Sequence, residues 1–322
     1  MRQKGTGPAA SAKENSAGSP VSFYLIPRRG AMKKRDIQQR DAAAAKAETL
    51  IEALPWINQM NGKTFVIKYG GSAMEDKELC SRVVADIELL KLMGVRVVLV
   101  HGGGKAINAQ LKRLNVPVKF KDGLRVTDPD TMEAVREVLI GKVNQELVWA
   151  LNEYGHNAVG LSGADGKTMK AEVVDPELGR VGRIREVDTN LINTILDDGY
   201  IPVVASVGCA PDGFLNINAD VAAGKIAEAM GADKLIYLTD VDGLLEDVHD
   251  PDSLIAQMTR TETHELLDSG KLDGGMIPKI RSVADALDAG VQQVVIVNGK
   301  ADHSLLLEIF TDAGCGTMFT QD

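Results

Sequence analysis

Aromatic residues are scarce: six Phe, five Tyr and two Trp make up 4% of the 322 residues. A core must therefore be built from Val, Leu, Ile and Ala, and a hydrophobic content of 44% supplies them. Cysteine is scarcer still. Cys80, Cys209 and Cys315 lie far apart with no C-x-x-C pair, which argues against a disulfide-stapled module and fits reduced thiols in the cytoplasm. No His/Cys cluster has the spacing of a structural metal site. No stretch approaches the roughly 18 apolar residues that cross a membrane. Base is in deficit, with 36 Lys+Arg against 45 Asp+Glu, and a net charge of -9 argues against general nucleic-acid binding. No unit recurs at the period of roughly 20 to 50 residues that marks a solenoid.

What is present divides the chain. Residues 1–35 are rich in Ser, Ala, Gly, Pro and base, with Glu14 the one acid, and read as a disordered basic tail. An organelle-targeting peptide and a start at Met32 are the alternatives. From Asp36 to Leu54 the pattern is helical, through the run Ala42 to Ala45, with Leu50, Ile51 and Leu54 apolar and Pro55 expected to end the helix. Residues 36–60 are assigned to this N-terminal helix.

Strands and helices then alternate. Thr64 to Ile67 and Val95 to Val100 are almost wholly apolar, as strands covered on both faces are. Leu79, Val83, Ile87 and Leu90 mark one face of a helix beginning near Glu75. Asp130 to about Tyr154 reads as one long helix opened by Thr127-Asp128-Pro129. Gly231 to Asp233 looks like a hinge, which separates a lobe at 61–230 from one at 231–322. Regular βα alternation predicts an α/β fold: a three-layer αβα sandwich around a mainly parallel open sheet, in two lobes.

The organising stretch is Val66-Ile67-Lys68-Tyr69-Gly70-Gly71. A lysine at the carboxyl end of a buried strand, followed by glycines whose amides an anion can approach closely, suits a phosphate. Glycine turns recur at Gly102-Gly103-Gly104 after the second strand and at Gly274-Gly275 before a late helix. Several such turns suggest an extended polyanion such as ATP. Two common phosphate motifs are absent. Gly166-Lys167-Thr168 and Gly62-Lys63-Thr64 lack the first glycine of a P-loop, having Leu161 and Ile57 there, and Ile107 replaces the last glycine of a dinucleotide fingerprint.

Six segments occur in a telling order. They are Lys68-Tyr69-Gly70-Gly71, His101 to Gly104, Gly123-Leu124-Arg125-Val126-Thr127, Asn216-Ile217-Asn218-Ala219-Asp220, Asp240-Val241-Asp242-Gly243, and Gly274-Gly275-Met276-Ile277-Pro278-Lys279. From about Gly62 to Phe319 the chain resembles the amino acid kinase family, and within it the branch that phosphorylates N-acetyl-L-glutamate in arginine synthesis. The resemblance implies γ-phosphoryl transfer from ATP, with Mg²⁺ carried on its phosphates, to the side-chain carboxylate of N-acetyl-L-glutamate. That carboxylate is ionised at neutral pH, so no general base is needed. Catalysis then rests on position and charge neutralisation.

By the same resemblance Lys68 and Lys279 neutralise the phosphoryl group, Asp220 holds both lysines, and Gly71 and Gly103 offer amides. Gly103, Gly104, Arg125, Asn216 and Asn218 serve the acetylated amino acid. Lys68, Asp240, Val241, Asp242, Gly243, Leu244, Leu245, Gly274, Gly275, Met276 and Lys279 serve the nucleotide. Plainer roles compete: a solvated helix lysine for Lys279, a helix cap for Asp220, a surface ion pair for Arg125, while His101 reads as structural.

The helix at 36–54 and the segment Glu308 to Thr317 resemble those of arginine-inhibited hexamers in which N-terminal helices link dimers. Glu308, Gly314 and Gly316 would hold L-arginine, and a nitrogen-signalling PII protein is a possible partner by analogy. A sibling kinase acting on glutamate, aspartate or carbamate is the nearest rival. A non-catalytic arginine sensor on the same fold is the rival from another class.

Overall fold

Runs of Val, Ile and Leu between glycine-rich turns make the strands, and the amphipathic stretches between them make the helices. The computed structural model describes residues 37–322 except 72, 73, 75, 122, 156, 248, 273–275, 312 and 313. The expected tail at 1–35 therefore lies outside the described residues, as do Gly274 and Gly275. The chain divides into two compact units, Met1–Ala45 and Lys46–Asp322.

Helix α1 (Ile37–Glu52) is followed at once by α2 (Leu54–Met60). Pro55 was expected to end a helix. It instead stands in the first turn of α2, where a missing N–H costs nothing because those amides have no helical acceptor. Met60 is buried, and Trp56 and Ile57 pack on the core.

The main domain opens with β1 (Thr64–Tyr69), α3 (Lys77–Leu92), β2 (Arg96–His101) and α4 (Gly104–Arg113). A small hairpin of β3 (Phe120–Lys121) and β4 (Leu124–Arg125) comes next. The long helix expected at 130–154 is present, but in three parts: α5 (Pro129–Arg136), a π-helical segment Glu137–Asn144, and α6 (Gln145–Asn152). Hydrophobic periodicity carried no sign of the widened middle turns. The chain continues through β5 (Ala158–Ser162), β6 (Met169–Val173), β7 (Gly182–Val187), α7 (Asn190–Asp197), β8 (Ile201–Ala205), β9 (Val207–Ala210), β10 (Gly213–Asn216) and α8 (Ala219–Met230). It ends with β11 (Lys234–Thr239), β12 (Gln257–Thr259), α9 (Arg260–Asp268), α10 (Ile277–Asp288), β13 (Gln293–Asn298), α11 (Ser304–Phe310) and β14 (Thr317–Thr320).

Eight strands form one sheet in the order β12-β14-β13-β11-β1-β2-β8-β5, with β1 near the middle. Every neighbouring pair is parallel except β13 with β14. The pleat sends alternate side chains of β1 to opposite faces. Phe65, Ile67 and Tyr69 join a core with α3, α4, α5, α6 and α11; Val66 joins another with α7, α8 and α10. The sheet is thus the middle of three layers. A second sheet, β10-β9-β6-β7, adds Met169, Ala171, Ile184 and Leu215 to the latter core. The parallel strands point their carboxyl ends the same way, so Lys68, His101, Thr239 and Asn298 gather along one edge.

Candidate active site

Lys68 is the fifth residue of β1 and lies between Val100 of β2 and Tyr237 of β11. Its Nζ is 2.8 Å from Asp220 Oδ1, and Lys279 Nζ is 3.9 Å from Asp220 Oδ2. All three side chains are mostly buried, with 12%, 21% and 15% of their surfaces exposed. Lys279 is therefore no solvated helix lysine. Asp220 is not the helix cap either. Asn218 caps α8, its Oδ1 accepting the N–H groups of Asp220 and Val221 at 2.8 and 3.1 Å. This frees the Asp220 carboxylate for the lysines.

Burial alone would raise the Asp220 pKa; Lys68 and then Lys279 outweigh it, and the carboxyl sits below its ordinary value. Lys279 is shifted down by burial, against the pull of Asp220. Backbone fastening reinforces the triad. The Tyr237 and Ser282 hydroxyls lie 2.7 Å apart, and both reach the Asp220 carbonyl at 3.3 Å. Ser282 stands one turn after Lys279 on α10, so β11, α8 and α10 are tied at one point. Nothing in the sequence singled out Tyr237 or Ser282, since a buried tyrosine and a helix serine look like ordinary core.

The glycines stand close against functional side chains as well as at turns. A Cβ on Gly70 would stand 2.6 Å from Lys68 Nζ, and one on Gly71, at φ +80°, would stand 2.7 Å from Asp240 Oδ1. A Cβ on Gly103 would meet Leu139 Cδ2 at 2.8 Å and Val143 Cγ2 at 3.3 Å, both in the π segment. The wide turns thus press against the second glycine loop, a setting in which π segments recur. From Gly71, Gly103 and Gly104 a cavity of about 920 Å³ opens between α3, α4 and α6.

His101 ends β2 and is wholly buried. Its Nδ1 lies 2.9 Å from the Gly102 carbonyl and its Nε2 3.0 Å from Asn144 Nδ2. Asn144 also donates to Val203 O at 2.8 Å. These partners fit a neutral imidazole donating through Nδ1 and accepting at Nε2. Burial drives its pKa down to about 4, which suits a strut rather than a proton carrier.

Arg125 is buried at the end of β4. Nη2 donates to Gly104 O at 3.1 Å and the guanidinium lies 4.9 Å from the Phe120 ring centre. Nη1 is buried and has no hydrogen-bond partner among the described residues. Burial lowers the pKa of this arginine. An orphaned buried cationic donor is costly, and an anion would relieve it. Arg125 is thus not part of a surface ion pair. Asn216 donates to Thr127 Oγ1 at 3.1 Å, and Thr127 Oγ1 donates to Arg125 O at 2.8 Å, so Asn216, Arg125 and Gly104 form one chain of contacts, while Asn218 is engaged in the cap of α8.

At the other lip Asp240 pairs with Lys300 at 3.4 Å, and Asp242 Oδ1 accepts Asn298 Nδ2 at 2.8 Å. Asp240, Val241 and Asp242 are exposed. Gly243 and Leu244 turn inward, with Leu244 N–H donating to Thr317 Oγ1 at 2.8 Å, and Leu245 bridges Leu254. Met276 occupies the N-cap position of α10.

A second cavity, about 650 Å³, lies at the amino ends of the same strands, against Trp56, Phe65, Lys234, Glu308, Gly314 and Gly316. Glu308 is buried, and its Oε2 accepts the N–H groups of Cys315 and Gly316 at 3.0 and 3.2 Å. Gly314, at φ +62°, brings its backbone so close that a Cβ would be 2.8 Å from that oxygen. Lys234 is shifted down by burial and held up by Glu308.

The family model described as amino acid kinase family matches residues 63–298. An acetylglutamate kinase of Caldanaerobacter subterraneus subsp. tengcongensis is 52% identical over 280 residues, covering 86% of this chain and 94% of the relative. Among solved structures, N-acetylglutamate synthase from Neisseria gonorrhoeae with coenzyme A and N-acetyl-glutamate superposes with a TM-score of 0.75 at 30% identity, over 86% of this chain and 63% of that one. The same synthase with coenzyme A and L-arginine gives 0.72 at 28% identity, over 86% of this chain and 65% of that one. This chain thus spans less than two thirds of that longer protein.

Proposed function

The chain belongs to the amino acid kinase family, and from that premise we propose that it transfers the γ-phosphoryl group of ATP to the side-chain carboxylate of N-acetyl-L-glutamate. A carboxylate oxygen forms a bond to γ-phosphorus as the bond to the β,γ-bridging oxygen breaks. The products are N-acetyl-L-glutamyl 5-phosphate and ADP, and no proton moves. The observation that carries this reading is the buried Lys68–Asp220–Lys279 triad beside two glycine loops. Two ammonium groups held on one carboxylate present fixed positive charge to a transferring phosphoryl group without reorganisation. The Gly71 and Gly103 amides assist. Mg²⁺ arrives on the ATP phosphates, because the cleft's central carboxylate is engaged with the two lysines.

Arg125 takes the α-carboxylate of the acceptor through its free Nη1, next to Gly103 and Gly104. Asn216 and Asn218 support that pocket. Asp240 to Leu245, with Gly274 to Met276, hold the nucleotide. Residues 61–230 are then the acceptor-binding and dimerising lobe and 231–322 the ATP lobe, in a cytoplasmic enzyme of arginine synthesis.

A second reading concerns the 650 Å³ cavity. The buried Glu308 carboxylate and the half-buried Lys234 on one wall offer both signs of charge to a zwitterion with a guanidinium. L-arginine there is a feedback inhibitor, and the helices at 36–60 link dimers into a hexamer. Removing residues 1–52 keeps α2 whole, whereas a cut at 56 would take Trp56 from the cavity wall.

The test is steady-state turnover with MgATP and each of N-acetyl-L-glutamate, glutamate, aspartate and carbamate, with and without arginine. Turnover of the acetylated amino acid alone is expected, and arginine should suppress it. Preference for an unacetylated acceptor would move the chain to a sibling activity; no turnover would favour a sensor.

A further inference from the structure

One short loop joins parts of the cleft that no motif connects. Between β13 and α11 the chain runs Asn298-Gly299-Lys300-Ala301-Asp302-His303. Its first half faces the nucleotide side. Asn298 uses both ends of its amide, Nδ2 donating to Asp242 and Oδ1 accepting the Lys300 N–H at 2.9 Å. The Gly299 N–H donates to Thr239 O at 2.8 Å. Lys300 Nζ, set by those bonds, stands 3.4 Å from Asp240. The second half is fastened to α3. Asp302 pairs with Arg82, and His303 Nδ1 meets Asp86 Oδ1 at 2.6 Å.

The fastening is more than a surface contact. Asp86 is almost fully buried, with 3% of its side chain exposed, and burial raises its pKa against the pull of His303. A buried carboxylate without its partner is costly, so His303 is strongly held. His303 also adopts φ +54°, a left-handed conformation that is unfavourable for a non-glycine residue. The chain keeps that conformation where it delivers Lys300 on one side and the imidazole on the other.

Asp240 explains why such delivery matters. Its carboxylate lies against the Gly71 backbone, beside the turn that receives phosphate. Each positive charge set against that carboxylate lessens its repulsion of a polyphosphate. The Lys300–Asp240 pair is half exposed, so its own stabilisation is small. Its consequence is added positive charge beside the turn, on top of that of Lys279, which also faces Asp240.

We propose that the loop Asn298–His303 is a positioning strap for the nucleotide, in which Lys300 neutralises Asp240 beside the phosphate turn and Asp86 on α3 anchors Lys300 through His303. This rests on the reading of Asp240 to Leu245 as the nucleotide segment. None of Asn298, Lys300, Asp302, His303 and Asp86 is a catalytic residue; they act through Asp240 and Asp242.

The experiment measures MgATP binding by calorimetry on the full chain, together with KM for each substrate and kcat. The variants are Lys300→Ala, Lys300→Arg, His303→Ala and the double alanine. Lys300→Ala should raise Kd and KM for MgATP about tenfold. KM for the acceptor should stay within about twofold, and Lys300→Arg should restore nucleotide affinity. His303→Ala should weaken nucleotide in the same direction, and the double variant should be no weaker than Lys300→Ala alone, because His303 acts through Lys300. Unchanged MgATP affinity in Lys300→Ala, or a fully additive double variant, overturns the strap. Wild-type protein that binds no MgATP at all sinks the nucleotide reading itself, and the strap with it. Binding of MgATP without turnover of N-acetyl-L-glutamate sinks the acceptor reading and leaves the strap to be decided by the Kd values.

Discussion

The two ends of the central strands have opposite characters. β1, β11 and β13 end at Tyr69, Thr239 and Asn298, where Lys68, Lys279 and Lys300 meet Asp220 and Asp240 beside the glycine turns. The same strands begin at Thr64, Lys234 and Gln293, around a cavity with a buried carboxylate and a half-buried lysine. With six residues in β1, the ends are about 17 Å apart at roughly 3.3 Å per residue. One end sets two lysines on Asp220 and a third on Asp240 beside bare glycine turns, and suits a phosphoryl group in transit. The other offers both signs and suits a zwitterion that stays. A rigid sheet can carry both because its interior is apolar between them.

Changes at the carboxyl end, where the proposed chemistry lies, should be the most severe. Lys68→Met and Asp220→Asn should each lower kcat about 100- to 1,000-fold, as loss of a fixed stabiliser of developing charge does. Rapid-quench or coupled assays read this directly, and a loss under about tenfold would mean that the triad only braces the fold. Arg125→Leu should act on one substrate. KM for N-acetyl-L-glutamate should rise about ten- to a hundredfold, the worth of a charge-assisted bond, with KM for MgATP unchanged. An equal effect on both substrates would place Arg125 in general architecture.

His101 tests whether everything at that end is chemical. Folded, its pKa lies near 4, against 6.5 in the open chain, so the unfolded state binds the extra proton between those values. Stability should therefore be full above pH 6.5 and fall as pH drops toward 4, by about 1–2 kcal/mol at pH 5. Urea unfolding at pH 7 and pH 5 should show that loss in the wild type and a smaller one in His101→Asn. An identical pH response in the variant would contradict the buried neutral imidazole.

The carboxyl end was far more legible in the sequence than its opposite. A lysine closing an apolar strand and glycines at strand ends are local signals, and they led to Lys68, Gly71 and Gly103. Arg125 and Asp220 came from resemblance, and only the fold displays why they suit: an orphaned Nη1 in one case and a capping neighbour, Asn218, in the other. The π segment left no trace because its apolar positions still fit a helix. Tyr237 and Ser282 were invisible because their bond joins residues 45 apart in sequence. Pro55 misled because proline both ends and begins helices, and the choice depends on which turn it occupies. The cavity at the amino ends of the strands could not be read locally, since Trp56, Lys234 and Glu308 come together only when the sheet forms.

The most direct test of two separate ends is calorimetric binding of two ligands to two variants. Asp220→Asn should lose productive MgATP binding yet bind L-arginine as the wild type does. Glu308→Gln should lose L-arginine and keep wild-type affinity for MgATP. Loss of both ligands in either variant, or arginine binding that survives in Glu308→Gln but not in Asp220→Asn, would contradict the account.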